Sequence, residues 1–293
     1  MKFTKALLYD GITIQNYMKR LQFRTYQTTI RELNGYDEEY IEVNEMLPLS
    51  LLTTGLLSRT VGFETANESE IDAIEIIKDL TLGERAILVL QLRRLCLGEN
   101  IRCLFSCGSC GELNSFDIST STILETTNPR QEEYDNTINF RGYSLIIRPL
   151  TGRDQEYLLT INANTENRHS NMADQLARQS IVTSNPTFPE NISLDKDFLN
   201  ELSLKLSTLD PLSDIAFSFN CISCKSLLET HFIPEDFFFK ELKLLGNQLE
   251  QEIHLLAFYY HWEESTILSL PITKRKKYLQ LIVKTLSRGS EYE

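Results

Sequence analysis

The sequence predicts an α+β fold built from two internally duplicated halves, each a strand, a helical stretch and a cysteine hairpin, with a C-terminal helical segment behind them. Three observations predict it. A segment of nineteen residues occurs twice, a C-x-x-C pair recurs at nearly the same offset after each copy, and the chain beyond the second pair turns to helical periodicity. With 293 residues, 42% hydrophobic and 24% charged, the chain has the composition of a globular protein large enough for two ordinary domains.

The N-terminal MKFTKALLYDGI carries too short an apolar run for a signal-peptide core. No stretch approaches the roughly 20 apolar residues that span a bilayer. The reading is therefore a cytosolic protein without membrane partners, whose six cysteines are thiols or metal ligands rather than disulfides. The formal charge of −12 disfavours nucleic acid, because affinity for it rests on neutralising phosphates.

The repeat reads FRTYQTTIRELNGYDEEYI from Phe23 and FRGYSLIIRPLTGRDQEYL from Phe140, with ten of nineteen positions identical. In each copy a β-type run (Tyr26 to Ile30; Tyr143 to Ile147) leads through Arg and Leu into Asn-Gly or Thr-Gly, which marks a turn. An acidic Asp-x-Glu then opens a helix, where the macrodipole favours negative charge. Asp37 and Asp154 read as helix caps rather than catalytic acids.

After the first copy, LPLSLLTTGLLSRTVG suggests a short helix, and IDAIEIIKDLTLGERAILVLQLRRLCLG a loop and a strong helix ending at Gly98. Arg93 and Arg94 lie near its C-terminus, as the dipole prefers. Next comes FSCGSCGELNSF. Cys107 and Cys110 sit between two strand-like runs, 84 positions after Phe23. STILETTNPRQEEYDNT reads as a polar linker. In the second copy, TINANTENRHSNMADQ and TSNPTFPENIS read as surface loops around a short helix. DKDFLNELSLKLSTLDPLSD reads as the counterpart of the long helix, closing at Asp210-Pro211. FSFNCISCKSLLETHF places Cys221 and Cys224, 81 positions after Phe140, in the same hairpin context.

Two such knuckles facing each other complete a tetrahedral four-cysteine site, a split zinc ribbon. The gap between them is long, but duplication brings equivalent hairpins together. The expectation is one structural zinc per chain on Cys107, Cys110, Cys221 and Cys224. A redox dithiol belongs at a helix N-terminus, and strand-like residues follow both pairs here. Four thiolates leave no open position for catalysis. Cys96 and Cys103 read as buried thiols, and His169 and His231 carry no strong signal. No Ser-His-Asp set, Walker loop or G-x-G-x-x-G is present, so the chain reads as a non-enzyme.

Beyond the second knuckle, Leu242, Leu245, Leu249, Ile253, Leu256 and Tyr260 predict one helix from about Phe238 to Tyr260. A last helix follows from about Pro271 to Ser287. Two features between and on these helices are candidate partner-binding residues. One is the aromatic cluster of Phe258, Tyr259 and Trp262, because aromatics anchor interfaces. The other is the basic run with Lys274, Arg275 and Lys277, which suits an acidic partner. Their structural alternatives are packing of the hairpin and a solvated face. The division that results is a first repeat over 1–121, a linker over 122–138, a second repeat over 139–237 and a helical hairpin over 238–293.

In order, the strand leading to RELNGYDEE, the GERAILVLQLRRLCLGENI helix, the first knuckle, RPLTGRDQE, the second knuckle and YHWEESTILSLP form a combination over most of the chain. It resembles the baseplate hub assembly chaperones of T-even-type contractile-tailed phages and related contractile injection systems. The AFYYHWEESTILSLP segment is also similar to small tail-assembly proteins. The resemblance implies a non-catalytic role in assembling the tail hub with hub or tape-measure proteins, in the cytoplasm of the infected bacterium. It leaves open whether the chain is retained in the virion baseplate. It does not imply zinc, which rests on the cysteines of this sequence.

Overall fold

The computed structural model describes residues 27–64, 72–125, 135–162, 168–189, 191–246 and 248–289. Phe23 and Tyr26, at the head of the first repeat, lie outside them. Strand β1 (Gln27–Ile30) leads into helix α1 (Gly35–Val43), and α2 (Leu49–Thr60) runs into β2 (Val61–Glu64). The β1–β2 pair is antiparallel. Helices α3 (Ala73–Asp79) and α4 (Leu82–Leu97) precede the first knuckle hairpin, β3 (Asn100–Ser106) with β4 (Leu113–Ser119). After the short α5 (Thr120–Glu125), the second repeat supplies β5 (Thr137–Phe140), β6 (Tyr143–Ile147), α6 (Gly152–Asn162), α7 (Arg168–Ser180), β7 (Ile181–Asn185) and α8 (Lys196–Leu209). The second hairpin is β8 (Ile215–Asn220) with β9 (Leu227–Phe232). Helices α9 (Pro234–Gly246), α10 (Leu249–Tyr260), α11 (Glu264–Leu268) and α12 (Ile272–Gly289) close the chain. The fold is α+β, its strands forming small antiparallel sheets with β5, β6 and β7 in one of them.

Several elements differ from the expectation. Asp72 caps the N–H of Ile74, so the stretch expected as a loop before α4 carries α3. The polar RHSNMADQ is the start of α7, and Ile181–Asn185 pairs with β6. Buried Ile123 anchors α5 inside the stretch expected as linker. The single helix expected over 238–260 is two, with α9 ending at Gly246. Glycine is among the weakest helix formers. The break sends Leu242 into one core and Leu256 into another.

Helix α4 is buried on nearly every side. Thr81 and Glu84 form its capping box. Its two interior arginines are satisfied within the chain. Arg85 donates to the Ser50 carbonyl and to Thr54. Arg93 makes a two-pronged pair with Glu241 at 2.8 Å and caps the carbonyls of Gly98 and Asn100.

The duplicated motif builds the same device twice. Asp37 is buried at the third position of α1, takes the Asn34 N–H and is forked by Arg31, with Arg59 alongside. Asp154 takes the Thr151 N–H and the Arg148 fork. Burial alone would raise the Asp154 carboxyl, but the Arg148 guanidinium and the Thr151 N–H outweigh it and hold it low. The N-cap of α1 is Asn34, so Asp37 is the capping-box partner rather than the cap itself. Gly35 and Gly152, expected as turn residues, open their helices instead. A Cβ on Gly35 would lie 2.6 Å from Leu268, and one on Gly152 would lie 2.0 Å from the Arg85 guanidinium. The glycines permit close approach.

That approach reveals how the halves interlock. The start of α1 pairs with the start of α12, where Ile272 N–H donates to Leu33 O. The start of α6 pairs with the start of α4, through Leu82 N–H to Leu150 O and Gly152 N–H to Leu80 O. The first repeat is therefore completed by the last helix of the chain, and the second by the long helix of the first half.

Candidate metal centre and partner surface

The two knuckle hairpins face each other across an aromatic layer. Phe105 stacks on Phe116 at 5.5 Å, and Phe116 meets Phe217 and Phe219 from the second hairpin at 5.5 and 4.9 Å. In each knuckle the first cysteine closes the turn: Gly111 N–H donates to Cys107 O, and Lys225 N–H to Cys221 O. Gly111 (φ 75°) and Lys225 (φ 61°) occupy the same left-handed position after the second cysteine. Glycine is suited to it and lysine is strained there by about 1–2 kcal/mol.

This geometry brings all four sequence-predicted cysteines together. Their sulfurs lie within 4.8 Å of one another, with Cys107 to Cys224 and Cys110 to Cys221 at 3.6 Å. A disulfide needs about 2.05 Å. A tetrahedral site with metal–sulfur bonds of about 2.3 Å has sulfur–sulfur edges of about 3.8 Å. The four thiols are thus placed closely enough to hold a metal ion, and a dication of thiolate preference such as zinc suits the donor set. Cys107 and Cys221 are buried, whereas Cys110 and Cys224 are exposed, so the site has an inner and an outer edge.

The surroundings favour thiolates at the first cysteine of each knuckle. The Ser226 hydroxyl and the N–H groups of Cys110 and Ser109 hold the Cys107 thiol down at about 6. The Cys224 N–H, with that of Ser223, outweighs burial and lowers Cys221. Cys110 receives the Glu112 N–H, yet the neighbouring thiols and burial push it up to about 12. Four thiolates at this spacing repel, and a bound cation would remove that cost. Cys96, pushed up to about 12 by burial, and Cys103, raised for the same reason, lie apart in the core as inert thiols.

Two supporting residues were not picked out from sequence. Buried Asn114 bridges the knuckles: its Oδ1 accepts the Ile222 N–H at 2.9 Å, and its Nδ2 donates to Glu112 O and faces the Cys221 sulfur. Ser226 lies 3.4 Å from the Cys107 sulfur and 3.0 Å from that of Cys224. Their only sequence signal is position, four and two residues beyond a second cysteine. His231 stays outside the cluster, paired with Asp214 at 2.8 Å.

The candidate partner residues divide. Phe258 and Tyr259 are 64% and 41% exposed on α10, edge to face at 5.2 Å. Trp262 is half-buried, stacked on Tyr260 at 4.8 Å and edge-on to Tyr278 at 4.9 Å, so it braces the hairpin. Lys274 and Lys277 are exposed. Arg275 is 1% exposed and locked between Glu38 and Glu252, so the expectation that it belongs to a docking patch is corrected. It sits at the crossing of α1 and α12, where an inward cation neutralises two carboxylates. Charge runs do not reveal which member of a helix turn points inward.

No curated protein and no solved structure matches the chain. Among the described residues, no helix is long and apolar enough to cross a membrane. A protein-family model described as T4 bacteriophage base plate protein matches residues 63–239, a span that takes in both knuckles and the second repeat. That span is more than half of the chain, so the chain belongs to the T4 bacteriophage base plate protein family, with a structural or assembly role in a phage baseplate.

Proposed function

We propose that this chain is a non-catalytic assembly factor of the baseplate hub, a chaperone that binds hub or tape-measure proteins and is held in shape by one structural zinc on Cys107, Cys110, Cys221 and Cys224. The observation that carries the reading is the exposure of Phe258 and Tyr259 beside a rigid Tyr260–Trp262–Tyr278 base. Rigid aromatics are good interface anchors, since they lose little side-chain entropy on binding. Lys274 and Lys277 extend that surface on α12, which has no acidic residue in a chain of charge −12. All four cysteines lie within residues 63–239, the span the family model matches, which stops short of α10 to α12. On this reading the hairpin selects the partner and the metal-locked body presents it, in the cytoplasm of the infected cell.

The family description itself favours a second reading, a permanent baseplate component. Quantitative mass spectrometry of purified particles separates the two. Absence or trace amounts support the chaperone, and a fixed stoichiometric presence overturns it. Exchange of Phe258 and Tyr259 for Ala, or of Lys274 and Lys277 for Glu, should leave the fold intact and lower the yield of assembled baseplates. Full assembly by both pairs of variants would remove this surface from consideration.

A further inference from the structure

The crossed pairing of the repeats leaves the two halves unequally covered. In the first half, Leu33 and Ile272 meet at the crossing, are 0% and 1% exposed, and share one core with Phe238, Phe239 and Leu242 of α9. Leu150 and Leu82 are their counterparts in the second half, since Leu150 is the repeat equivalent of Leu33 and each partner follows the bridged residue. Both are only half-buried and line a cleft of about 290 Å³ between α7 and α8. Among the described residues, no helix equivalent to α9 lies over them. The helix that follows the first knuckle, α5, has only six residues, whereas α9, which follows the second, has thirteen.

The cleft has apolar walls, with Leu176 on α7 and Leu199 and Leu206 on α8, and one polar end. The polar groups there present acceptors. Asp210 is 2% exposed; its Oδ2 accepts the Gly83 N–H at 2.8 Å, while its Oδ1 has no hydrogen-bond partner among the described residues. The hydroxyls of Ser207 and Ser213 donate to the backbone carbonyls of Leu204 and Asp210, which leaves their oxygens as acceptors. Asp214 adds a carboxylate, one oxygen of which is paired with His231 at 2.8 Å. Such a surface calls for an apolar body with a cationic donor at one end. At roughly 30 Å³ per water-sized group, the volume holds about ten non-hydrogen atoms, the size of a lysine side chain with one leucine beside it.

We propose that the cleft between α7 and α8 is a docking groove for an amphipathic helix of another baseplate protein, which lays aliphatic side chains on Leu150, Leu176 and Leu206 and brings a lysine or arginine to Asp210. The helix takes in the second half the place that α9 takes in the first, a helix-in-groove mode of recognition. The proposal rests on membership of the baseplate family and is independent of the chaperone reading. All residues that line the cleft fall within the span matched by the family.

The groove is tested first with the full chain, methyl-labelled at leucine, titrated with n-hexylammonium and with n-hexanoate. Hexylammonium should shift the methyls of Leu150, Leu176 and Leu206 saturably, with hexanoate at least tenfold weaker. Ser203→Trp and Ala173→Trp, exposed positions on opposite walls, should each abolish the shifts without lowering the melting temperature. Equal binding of hexanoate, or shifts that survive both tryptophans, overturns the groove. A photo-cross-linking amino acid at Ser203 should then capture, in infected cells, an apolar segment of a baseplate protein that carries Lys or Arg. Capture of an acidic segment overturns the proposed chemistry. Capture of a host protein overturns the baseplate partner, a result distinct from a hexylammonium null.

Discussion

If the four-cysteine centre holds a metal, as proposed, its removal should uncouple the halves of the protein, and the size of the effect can be estimated. Cys110 and Cys221 are 111 residues apart in the chain and 3.6 Å apart in space. A metal held by both knuckles acts on the unfolded chain as a cross-link closing that loop. For a loop of this size the loss of chain entropy is worth about 4.7 kcal/mol. Domains of this kind are stable by about 5–15 kcal/mol in total, so chelation should remove a large share of the margin. Cys221→Ser perturbs the inner, buried edge of the site. The variant should lose metal and about 5 kcal/mol, and the chelated wild type should show the same loss. The assay is urea unfolding followed by far-UV circular dichroism, with and without a zinc chelator, alongside elemental analysis. About one zinc per chain is expected. A protein that contains no metal, or unfolds at the same urea concentration after chelation, would refute the reasoning.

Asn114→Ala should cost about 1 kcal/mol, because it removes the acceptor of the Ile222 N–H and one of the two donors to the Glu112 carbonyl, which keeps the Cys107 N–H; calorimetry with zinc in excess checks it. Asp37→Ala should cost about 2–3 kcal/mol by stranding Arg31, Arg59 and the Asn34 N–H, and Asp154→Ala should match it within about 1 kcal/mol if the repeats are energetically alike. Burial, with a smaller contribution from Asp210, raises Glu84 from 4.5 to about 7. The native state then binds more protons than the unfolded one between those values, so this group lowers stability as pH rises through them. The raised value corresponds to on the order of 3 kcal/mol, and Glu84→Gln should flatten the wild-type decline between about pH 4.5 and 7 in urea titrations; parallel curves for the two proteins would contradict the account.

The knuckles were legible because C-x-x-C between two apolar runs is a local pattern, and duplication identified the distant partner. The helix starts were less sharply legible: Asp37 was expected as the cap and is the capping-box partner of Asn34, and the Thr81–Glu84 box was not picked out. Secondary structure failed where burial overrode composition. The polar RHSNMADQ starts a helix because the second half of that helix, with Ala177, packs into the core of the second repeat. The apolar stripe from Leu242 to Tyr260 breaks because its two ends serve different cores.

By itself the sequence determined the duplication, the α+β character, the four cysteines and the helical character of the end of the chain, all of which rest on periodicity and spacing. Only the tertiary structure decided that α12 completes the first repeat and α4 the second. Gly35 and Gly152 accommodate it, since the missing Cβ lets Leu268 at the end of α11 approach the first and Arg85 of α4 the second. It also decided that Arg275 is an internal counter-ion while Lys274 and Lys277 face solvent. The physical reason is the same in each case. A side chain's role follows from which surface covers it, and here that surface comes from another element of the chain, which local spacing does not identify.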